Sequence, residues 1–338
     1  MTPGPGAMEE YAGEIAELDL AALQAREHPL VIRGLVSDWP LVHAARRSDS
    51  DFAKALAAMD AGGDVDTLRL APEAGGHVGY TSSLDGFNYR HFRVPLTQGL
   101  QRLAAYSRVD DPPGLAIQSA VIDECIPAFR RDHALDMLEP AIAPRLWVGN
   151  QVTTPTHFDS QHNIACVVCG RRRFTLFAPE QLANLYIGPL DYAPTGAAIS
   201  MARLEQVDDP RFPRLRHALA AAQQATLEPG DAIYMPPLWW HNVASLEPLN
   251  ALVNYWWPSL KGAEHHHGDS LAALFHCILA FRQLPAGERA HWQRLLEHYV
   301  FDDVDPVAHV PENRRGVLDD PPTPEQLAWL RAAARRHL

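Results

Sequence analysis

Lysine is nearly absent from this 338-residue chain, which has two lysines (Lys54 and Lys261) and 27 arginines. Acidic residues outnumber basic ones by 41 to 29, so the formal net charge at pH 7 is −12. An acidic surface repels polyphosphates and anionic membranes, so neither nucleic acid nor a membrane surface is expected as a partner. Any buried site that needs a cation is expected to use arginine.

Cysteines are also few, and the four that occur in a chain of this length do not form a disulfide scaffold (Cys125, Cys166, Cys169 and Cys277). The Gly/Pro-rich start has no basic or apolar signal segment, and no run approaches about 18 apolar residues. These absences predict a cytoplasmic protein with a flexible N-terminus over residues 1–10. The spacing of Cys166 and Cys169 in a strand-like run predicts thiols on opposite faces, which argues against a zinc or redox site.

The hydrophobic fraction of 47% allows a sizeable core, and the length fits two domains or one large β-domain with helical flanks. Short apolar runs broken by Gly and Pro predict a mainly β barrel or sandwich over residues 116–262. A flank of helices and strands is expected over 11–115, and helices are expected over 263–338. Residues 265–267 are three consecutive histidines after the last predicted strand, where a loop is expected.

Metal-ligand chemistry is concentrated in the predicted barrel. His157 and Asp159 are two positions apart in a strand-like segment, so their side chains are expected on one face. His241 lies in a second apolar strand, and a buried aspartate is costly unless a cation pairs with it. Two histidines and one carboxylate form the facial triad of non-haem Fe(II) oxygenases, which leaves three coordination positions open. Each residue alone has an ordinary structural interpretation, and the three together predict a metal site.

Three consecutive arginines, Arg171, Arg172 and Arg173, follow a turn at Gly170. Strand alternation places Arg172 on the face opposite to the other two. Whichever face is turned inward supplies a guanidinium that can bind a carboxylate in a closed pocket. Alternation alone does not decide which face that is.

Several segments carry a family resemblance, above all "TPTHFDSQHN", "GRRRFTLFAPEQ", "LEPGDAIYMPPLWWHNVASL" and "VNYWW". The chain resembles the JmjC-type, cupin-like 2-oxoglutarate oxygenases over roughly residues 30–299, and within them it is most similar to an asparaginyl hydroxylase. The resemblance implies a double-stranded β-helix, which is a jelly-roll barrel, with a helical N-terminal flank and a helical C-terminal tail. It also implies Fe(II), the co-substrate 2-oxoglutarate, and hydroxylation of a protein side chain or a small molecule.

Residue by residue, the resemblance makes His157, Asp159 and His241 the iron ligands. Thr154 stands where the family has a threonine that binds the distal carboxylate of 2-oxoglutarate. Arg172 stands where the similar hydroxylase has a lysine that pairs with the same carboxylate. Because arginine reaches further and binds in a bidentate way, the pocket is expected to be remodelled at this position.

The resemblance extends to the pocket walls. Asn163 and Asn254 match two asparagines near the iron-bound end of the co-substrate. Trp256 matches a tryptophan that flanks the substrate, and Gln118 is a further pocket residue. Ala116 stands where the hydroxylase has a tyrosine that touches the co-substrate, and alanine cannot replace it.

The helices of the tail resemble those through which the hydroxylase dimerises, so a homodimer is expected. Two alternatives to an oxygenase remain open. A metal-dependent isomerase-type cupin would not need Thr154, Arg172 or the two asparagines, and a non-catalytic cupin module would bind a ligand without metal-dependent turnover.

Overall fold

A computed structural model describes residues 4–194, 197–259, 267–319 and 322–336. The chain divides into two units, residues 1–264 and residues 265–338. The expected end of the barrel at residue 262 lies outside the described residues, as do His265 and His266 of the histidine run.

Thirteen strands occur in the described part of the first unit, and their lengths of two to eight residues match the short apolar runs of the sequence. In chain order they are β1 Gly6–Ala7, β2 Leu30–Ile32, β3 Asp64–Leu70, β4 Tyr89–Pro95, β5 Gly114–Val121, β6 Arg145–Gly149, β7 Thr153–His157, β8 His162–Cys169, β9 Arg172–Phe177, β10 Gln223–Leu227, β11 Ala232–Met235, β12 Trp240–Ser245 and β13 Asn250–Trp257.

Helices flank the strands in the first unit and make up most of the second. They are α1 Leu20–Gln24, α2 Pro40–Arg47, α3 Asp49–Ala57, α4 Leu96–Tyr106, α5 Ile122–Cys125, α6 Leu215–Ala221, α7 His267–Phe281, α8 Ala286–Leu296 and α9 Pro324–Arg336. Proline at the first position starts α2, and the Ser48 hydroxyl accepts a hydrogen bond from the Asp51 N–H to cap α3.

The strands form two sheets, ordered β1-β10-β9-β12-β7 and β2-β11-β8-β13-β6-β5-β3-β4. Apolar side chains from both sheets pack into one cluster, to which β9 contributes Phe174, β12 Val243, β8 Val167 and β13 Leu252. This cluster lies between the two sheets. The predicted mainly β jelly-roll with helical flanks is confirmed.

The larger sheet is buried on both faces at its centre, as the unbroken burial of β8 shows. Residues of β8 such as Ile164 and Val168 point away from the barrel and join a second cluster with Leu41 and Phe52 of α2 and α3 and Leu100 of α4. The predicted flank therefore covers the outer face of the sheet, and it also contributes β2 to β4. β5 starts at Gly114, two residues before the expected start of the barrel.

Within the segment expected to be flexible over residues 1–10, Gly6, Ala7 and Glu10 pair with neighbouring strands. β1 pairs in parallel with β10, and the Val31 N–H donates to the Glu9 carbonyl. Met8 is buried in the cluster between the sheets. Without β1, the strand β10 would be the edge of the smaller sheet and its outer backbone groups would be unpaired; β1 provides hydrogen-bond partners for them.

The two cysteines of the CxxC segment do not lie on opposite faces, so that prediction is wrong. Cys166 and Cys169 both join the cluster beneath the helices, because the pairing of β8 with β13 shifts register between Cys169 and Val167. Both are free thiols, and burial raises the pKa of Cys169 to about 12 and that of Cys166 further still.

The second unit contains α7, α8 and α9 in its described residues. Several large apolar side chains of α7 and α8 are exposed, including Phe275, Leu279 and Trp292. No helix in the described parts of the chain is long and apolar enough to cross a membrane.

Candidate metal centre

Two neighbouring strands bring the two histidines together. β7 ends at His157, β12 carries His241, and the antiparallel pairing places the two residues opposite each other with ring centroids 4.2 Å apart. Asp159 lies just beyond the end of β7, where its backbone carbonyl accepts a 2.8 Å hydrogen bond from the Leu238 N–H. The ligand atoms of the three side chains lie within 4.8 Å of one another. A turn after the strand, and not strand alternation, therefore delivers the carboxylate.

Hydrogen bonds select the histidine tautomers. Nδ1 of His157 lies 2.9 Å from the Pro155 carbonyl, and Nδ1 of His241 lies 3.0 Å from the Trp239 carbonyl. A carbonyl only accepts, so each Nδ1 carries the proton and each Nε2 keeps its lone pair for a metal. Burial, reinforced by the neighbouring His157, lowers the pKa of His241 to about 4. At neutral pH His241 is therefore the uncharged, metal-binding form.

The Asp159 carboxylate is oriented by two donors. Its Oδ2 accepts hydrogen bonds from Nε1 of Trp256 at 3.0 Å and from Nδ2 of Asn163 at 3.1 Å. Burial alone would raise the pKa of Asp159, but the nearby His241 and His157 together with these hydrogen bonds lower it. The site therefore holds a carboxylate anion beside two imidazoles, a donor set that one divalent cation would complement.

The hydrogen bonds continue into the sheet. Oδ1 of Asn163 accepts from Nδ2 of Asn254 at 3.2 Å, and Oδ1 of Asn254 accepts from Nε1 of Trp147 at 2.7 Å. The two asparagines predicted from the resemblance thus contact each other, and they connect Trp147 to the carboxylate of Asp159. Such outer hydrogen bonds fix ligand orientation.

A cavity of about 520 Å³ extends from the three ligands between the sheets. The predicted pocket residues Thr154, Asn163, Arg172 and Asn254 line it, as do Gln118 and Trp256. Ala116 does not belong to the described lining. It is buried beside Leu68 and Val152.

The structure decides the orientation of the arginine triplet. Arg171 pairs with Glu247 at 2.6 Å and Arg173 lies 3.9 Å from Glu205, both on the exterior. Arg172 faces the cavity with 7% of its surface exposed, and its Nε has no hydrogen-bond partner among the described residues.

Burial lowers the pKa of Arg172 to about 10, which leaves the guanidinium charged at pH 7. No described carboxylate forms an ion pair with it, and an unpaired buried charge is costly. The Thr154 hydroxyl, which also lines the cavity, has no hydrogen bond to any residue that the structure describes. This end of the cavity therefore fits the carboxylate of a bound ligand, and the other end fits a metal ion.

Comparison with known protein families gives a match over most of the first unit. A family model described as the cupin-like domain matches residues 16–262. The chain belongs to the cupin-like domain family. The matched segment contains both sheets from β2 to β13 and every predicted site residue.

Curated relatives of this cupin-like chain are larger proteins. The chain is 36% identical to Lysine-specific demethylase JMJ31 of Arabidopsis thaliana over 114 residues, which cover 33% of the chain and 20% of the relative. It is 36% identical to Jumonji C domain-containing protein 5 of Drosophila melanogaster over 162 residues, with coverages of 47% and 37%. It is 32% identical to human HSPB1-associated protein 1 over 150 residues, with coverages of 43% and 30%. The chain thus spans less than two fifths of these relatives, and the closer similarity to an asparaginyl hydroxylase stays a prediction.

The sequence patterns did not point to several polar and aromatic residues that line the cavity, among them Asp66, Tyr89, Arg145 and Trp147. Arg145 and Trp147 alternate with buried Leu146 and Val148 in β6. An arginine and a tryptophan at alternate positions of an apolar strand are the signal that could have identified them.

Proposed function

We propose that this cupin-like chain is a 2-oxoglutarate-dependent oxygenase that holds Fe(II) with His157, Asp159 and His241. The observation that carries the proposal is the buried, unpaired Arg172 in the same cavity as the three ligands. An isomerase-type cupin needs the metal ligands but has no use for a second, cationic end. An oxygenase that takes a dicarboxylic co-substrate needs both ends.

When bound, Fe(II) supplies activation of O2, by which 2-oxoglutarate becomes succinate and CO2 and one oxygen atom enters a substrate C–H bond. The protein supplies position and environment. The Nε2 atoms of His157 and His241 and the carboxylate of Asp159 bind the metal. Arg172 and Thr154 orient the distal carboxylate of the co-substrate, and apolar wall residues such as Phe174 limit access of water.

The proposed product is a hydroxylated side chain of a polypeptide or a hydroxylated small molecule. One relative is named a lysine-specific demethylase. Hydroxylation of an N-methyl carbon would lead to demethylation by the same chemistry. Analysis of the product therefore distinguishes a stable hydroxylated product from a demethylated one. The net charge of −12 supports a substrate other than nucleic acid. The cytoplasmic location stays a prediction.

We also propose that the chain forms a homodimer through its C-terminal helices. The second unit exposes Leu274, Phe275, Leu279, Trp292 and Leu295 on α7 and α8. Exposed apolar side chains in such number on two helices are typical of an interaction surface.

The proposal is tested by O2-dependent formation of succinate in the purified full-length chain with Fe(II) and 2-oxoglutarate. We expect wild type to produce succinate, with or without an added substrate, and Asp159→Ala to produce none. Asp110→Ala is a matched control, because Asp110 is an exposed aspartate outside the cavity lining.

Metal content after anaerobic purification and titration with 2-oxoglutarate separate the alternatives. A metal-containing protein that does not bind 2-oxoglutarate would support the isomerase-type cupin. A protein that forms no succinate, or an Asp159→Ala variant as active as wild type, would contradict the oxygenase.

A further inference from the structure

The cavity has a second arginine besides Arg172. Arg145, the first residue of β6, is partly exposed and lines the same cavity. Its Nη1 donates one long hydrogen bond of 3.3 Å to the Ser119 carbonyl, and it forms no ion pair with any carboxylate in the described ranges. A guanidinium has five N–H donors, so most of its donors are available to a ligand.

Arg145 lies at the outer part of the cavity. Asp66 and His91, which are about half exposed, show where the cavity meets solvent. Arg145 is opposite Asn254 in the pairing of β6 with β13, and Asn254 contacts Asn163 next to the Asp159 carboxylate. Arg145 therefore belongs to the cavity wall that a substrate bound beside the metal ligands would face.

The neighbouring strand β5 is distorted at the same place. Its pairing with β6 shifts register between Ile117 and Ala120, so one extra residue is accommodated. Ser119, within this bulge, has a left-handed φ of 46°, which is unfavourable for a serine. Bulges and strained residues of this kind commonly direct side chains toward functional sites.

The bulge turns Gln118 and Ser119 toward the cavity. Neither the Gln118 amide nor the Ser119 hydroxyl has a hydrogen bond to another residue in the described chain. Together with Arg145 they form a corner of one charged and two neutral groups that can donate hydrogen bonds, which we name the outer donor corner. Three polar groups with hydrogen-bonding capacity left over, lining one cavity, are suited to bind a complementary ligand group.

The charge of the corner selects the ligand group. Arg145 supplies a single positive charge. The carboxylate in the outer lining, Asp66, already has partners of its own, His91 at 3.3 Å and Arg93 at 3.5 Å. A carboxylate has one negative charge and matches one guanidinium in a bidentate way, whereas a phosphate has nearly two. Asp159, the second carboxylate in the cavity lining, further disfavours a dianion.

We propose that the outer donor corner, Arg145 with Gln118 and Ser119, binds a carboxylate of the substrate, so that the oxidised carbon belongs to an acidic molecule or lies near an acidic residue. This inference rests on the proposed oxygenase function and specifies its substrate class. It assigns Arg145 to recognition of the substrate, in contrast to Arg172, which is assigned to the co-substrate.

The test uses the full chain loaded with Mn(II) and 2-oxoglutarate. The probes are fluorescent dodecapeptide pools that differ only at one central position, which is Asp/Glu, Asn/Gln, Lys/Arg or phosphoserine. We expect anisotropy to show that the Asp/Glu pool binds about tenfold more tightly than the Asn/Gln pool. Arg145→Gln should abolish this difference, and Arg145→Glu should shift the preference to the Lys/Arg pool.

Arg108→Gln is the matched control, because Arg108 is exposed and outside the cavity lining. It should keep the acidic preference. A reversal of preference in Arg145→Glu cannot result from misfolding, and unchanged thermal unfolding midpoints check the Gln variant. Competition by N-acetylaspartate against N-acetylasparagine distinguishes the source of the carboxylate, since strong displacement by the former indicates a small acid and weak displacement indicates a polypeptide.

Equal binding of the Asp/Glu and Asn/Gln pools by wild type would overturn the inference, and so would a preference for phosphoserine or for Lys/Arg. Failure of the proposed function looks different, because wild type would then neither bind 2-oxoglutarate nor form succinate. A chain that forms succinate but shows no acidic preference would therefore refute only the outer donor corner.

Discussion

Trp256 donates a 3.0 Å hydrogen bond from its indole nitrogen to Oδ2 of Asp159, the carboxylate of the candidate metal centre. The same oxygen also accepts from Asn163. The resemblance predicts that Trp256 flanks the substrate, and the structure adds a role as an orienting donor. Oδ2 also lies 3.6 Å from Nε2 of His241, so the two hydrogen bonds hold the carboxylate oxygen that is next to another metal ligand.

We predict that Trp256→Phe weakens metal binding, because the phenyl ring keeps most of the wall but cannot donate to Asp159. Loss of an outer hydrogen bond to a ligand typically costs about 10- to 100-fold in metal affinity. Titration of the metal-free protein with Mn(II) by calorimetry measures the change. Trp239→Phe is the control, since its indole instead donates to the Glu27 carbonyl. Equal affinity in wild type and Trp256→Phe would show that the hydrogen bond does not hold the ligand in place.

We predict that Arg172→Gln weakens 2-oxoglutarate binding by about 2–5 kcal/mol, or at least about 30-fold, because a buried carboxylate would lose its cation. Arg172→Lys should retain part of the affinity, since lysine keeps the charge without the bidentate geometry. Calorimetry with the Mn(II)-loaded protein measures both. Arg171→Gln, which removes the adjacent exterior arginine, should bind like wild type. An unaffected Arg172→Gln would mean that another group binds the distal carboxylate.

We predict acid-sensitive stability from His133, which is remote from the cavity lining. Its Nε2 accepts a 3.1 Å hydrogen bond from the Leu41 N–H, and its Nδ1 lies 2.9 Å from the Phe129 carbonyl. Burial lowers the pKa of His133 below its ordinary value of 6.5. The unfolded chain then binds more protons in acid, so this contribution is complete above pH 6.5 and is lost as the pH falls below it.

His133→Phe should therefore lower the free energy of unfolding by about 1–3 kcal/mol at pH 7, and the difference from wild type should shrink toward pH 5. Urea unfolding in the presence of a chelator, at several pH values, measures it. His43→Phe alters an exposed histidine and should leave the pH dependence unchanged. A constant difference at every pH would argue against titration of His133.

We predict a homodimer with twice the chain mass of 37.4 kDa in light scattering coupled to size exclusion. Leu279→Asp should shift it to the monomer, because Leu279 is 74% exposed and a charge there would be buried in the proposed interface. Val109→Asp places the same charge on an exposed position of the first unit and should leave the dimer intact. A monomeric wild type would refute the dimer outright.

Much of the site was accessible from the sequence, since the His-X-Asp spacing, the distal histidine in an apolar strand and the arginine triplet are local patterns. Ser119 was not accessible in this way. Its place in the cavity wall depends on a bulge between β5 and β6, and a register shift has no signature in the periodicity of either strand. The two cysteines of β8 show the same limit, because a bulge reversed the face that alternation predicts.

The sequence by itself determined which chemical groups are present and how they alternate along each strand. It therefore predicted that Arg172 lies on the strand face opposite to Arg171 and Arg173, and that His157 and Asp159 are candidate metal ligands. Only the tertiary structure decided that Arg172 faces inward, and only it placed His241 opposite His157. Alternation defines two faces of a strand, but which face is buried depends on the order of strands in the sheet. That order is set by contacts between residues far apart in the chain, where packing between the two sheets selects one register over the others.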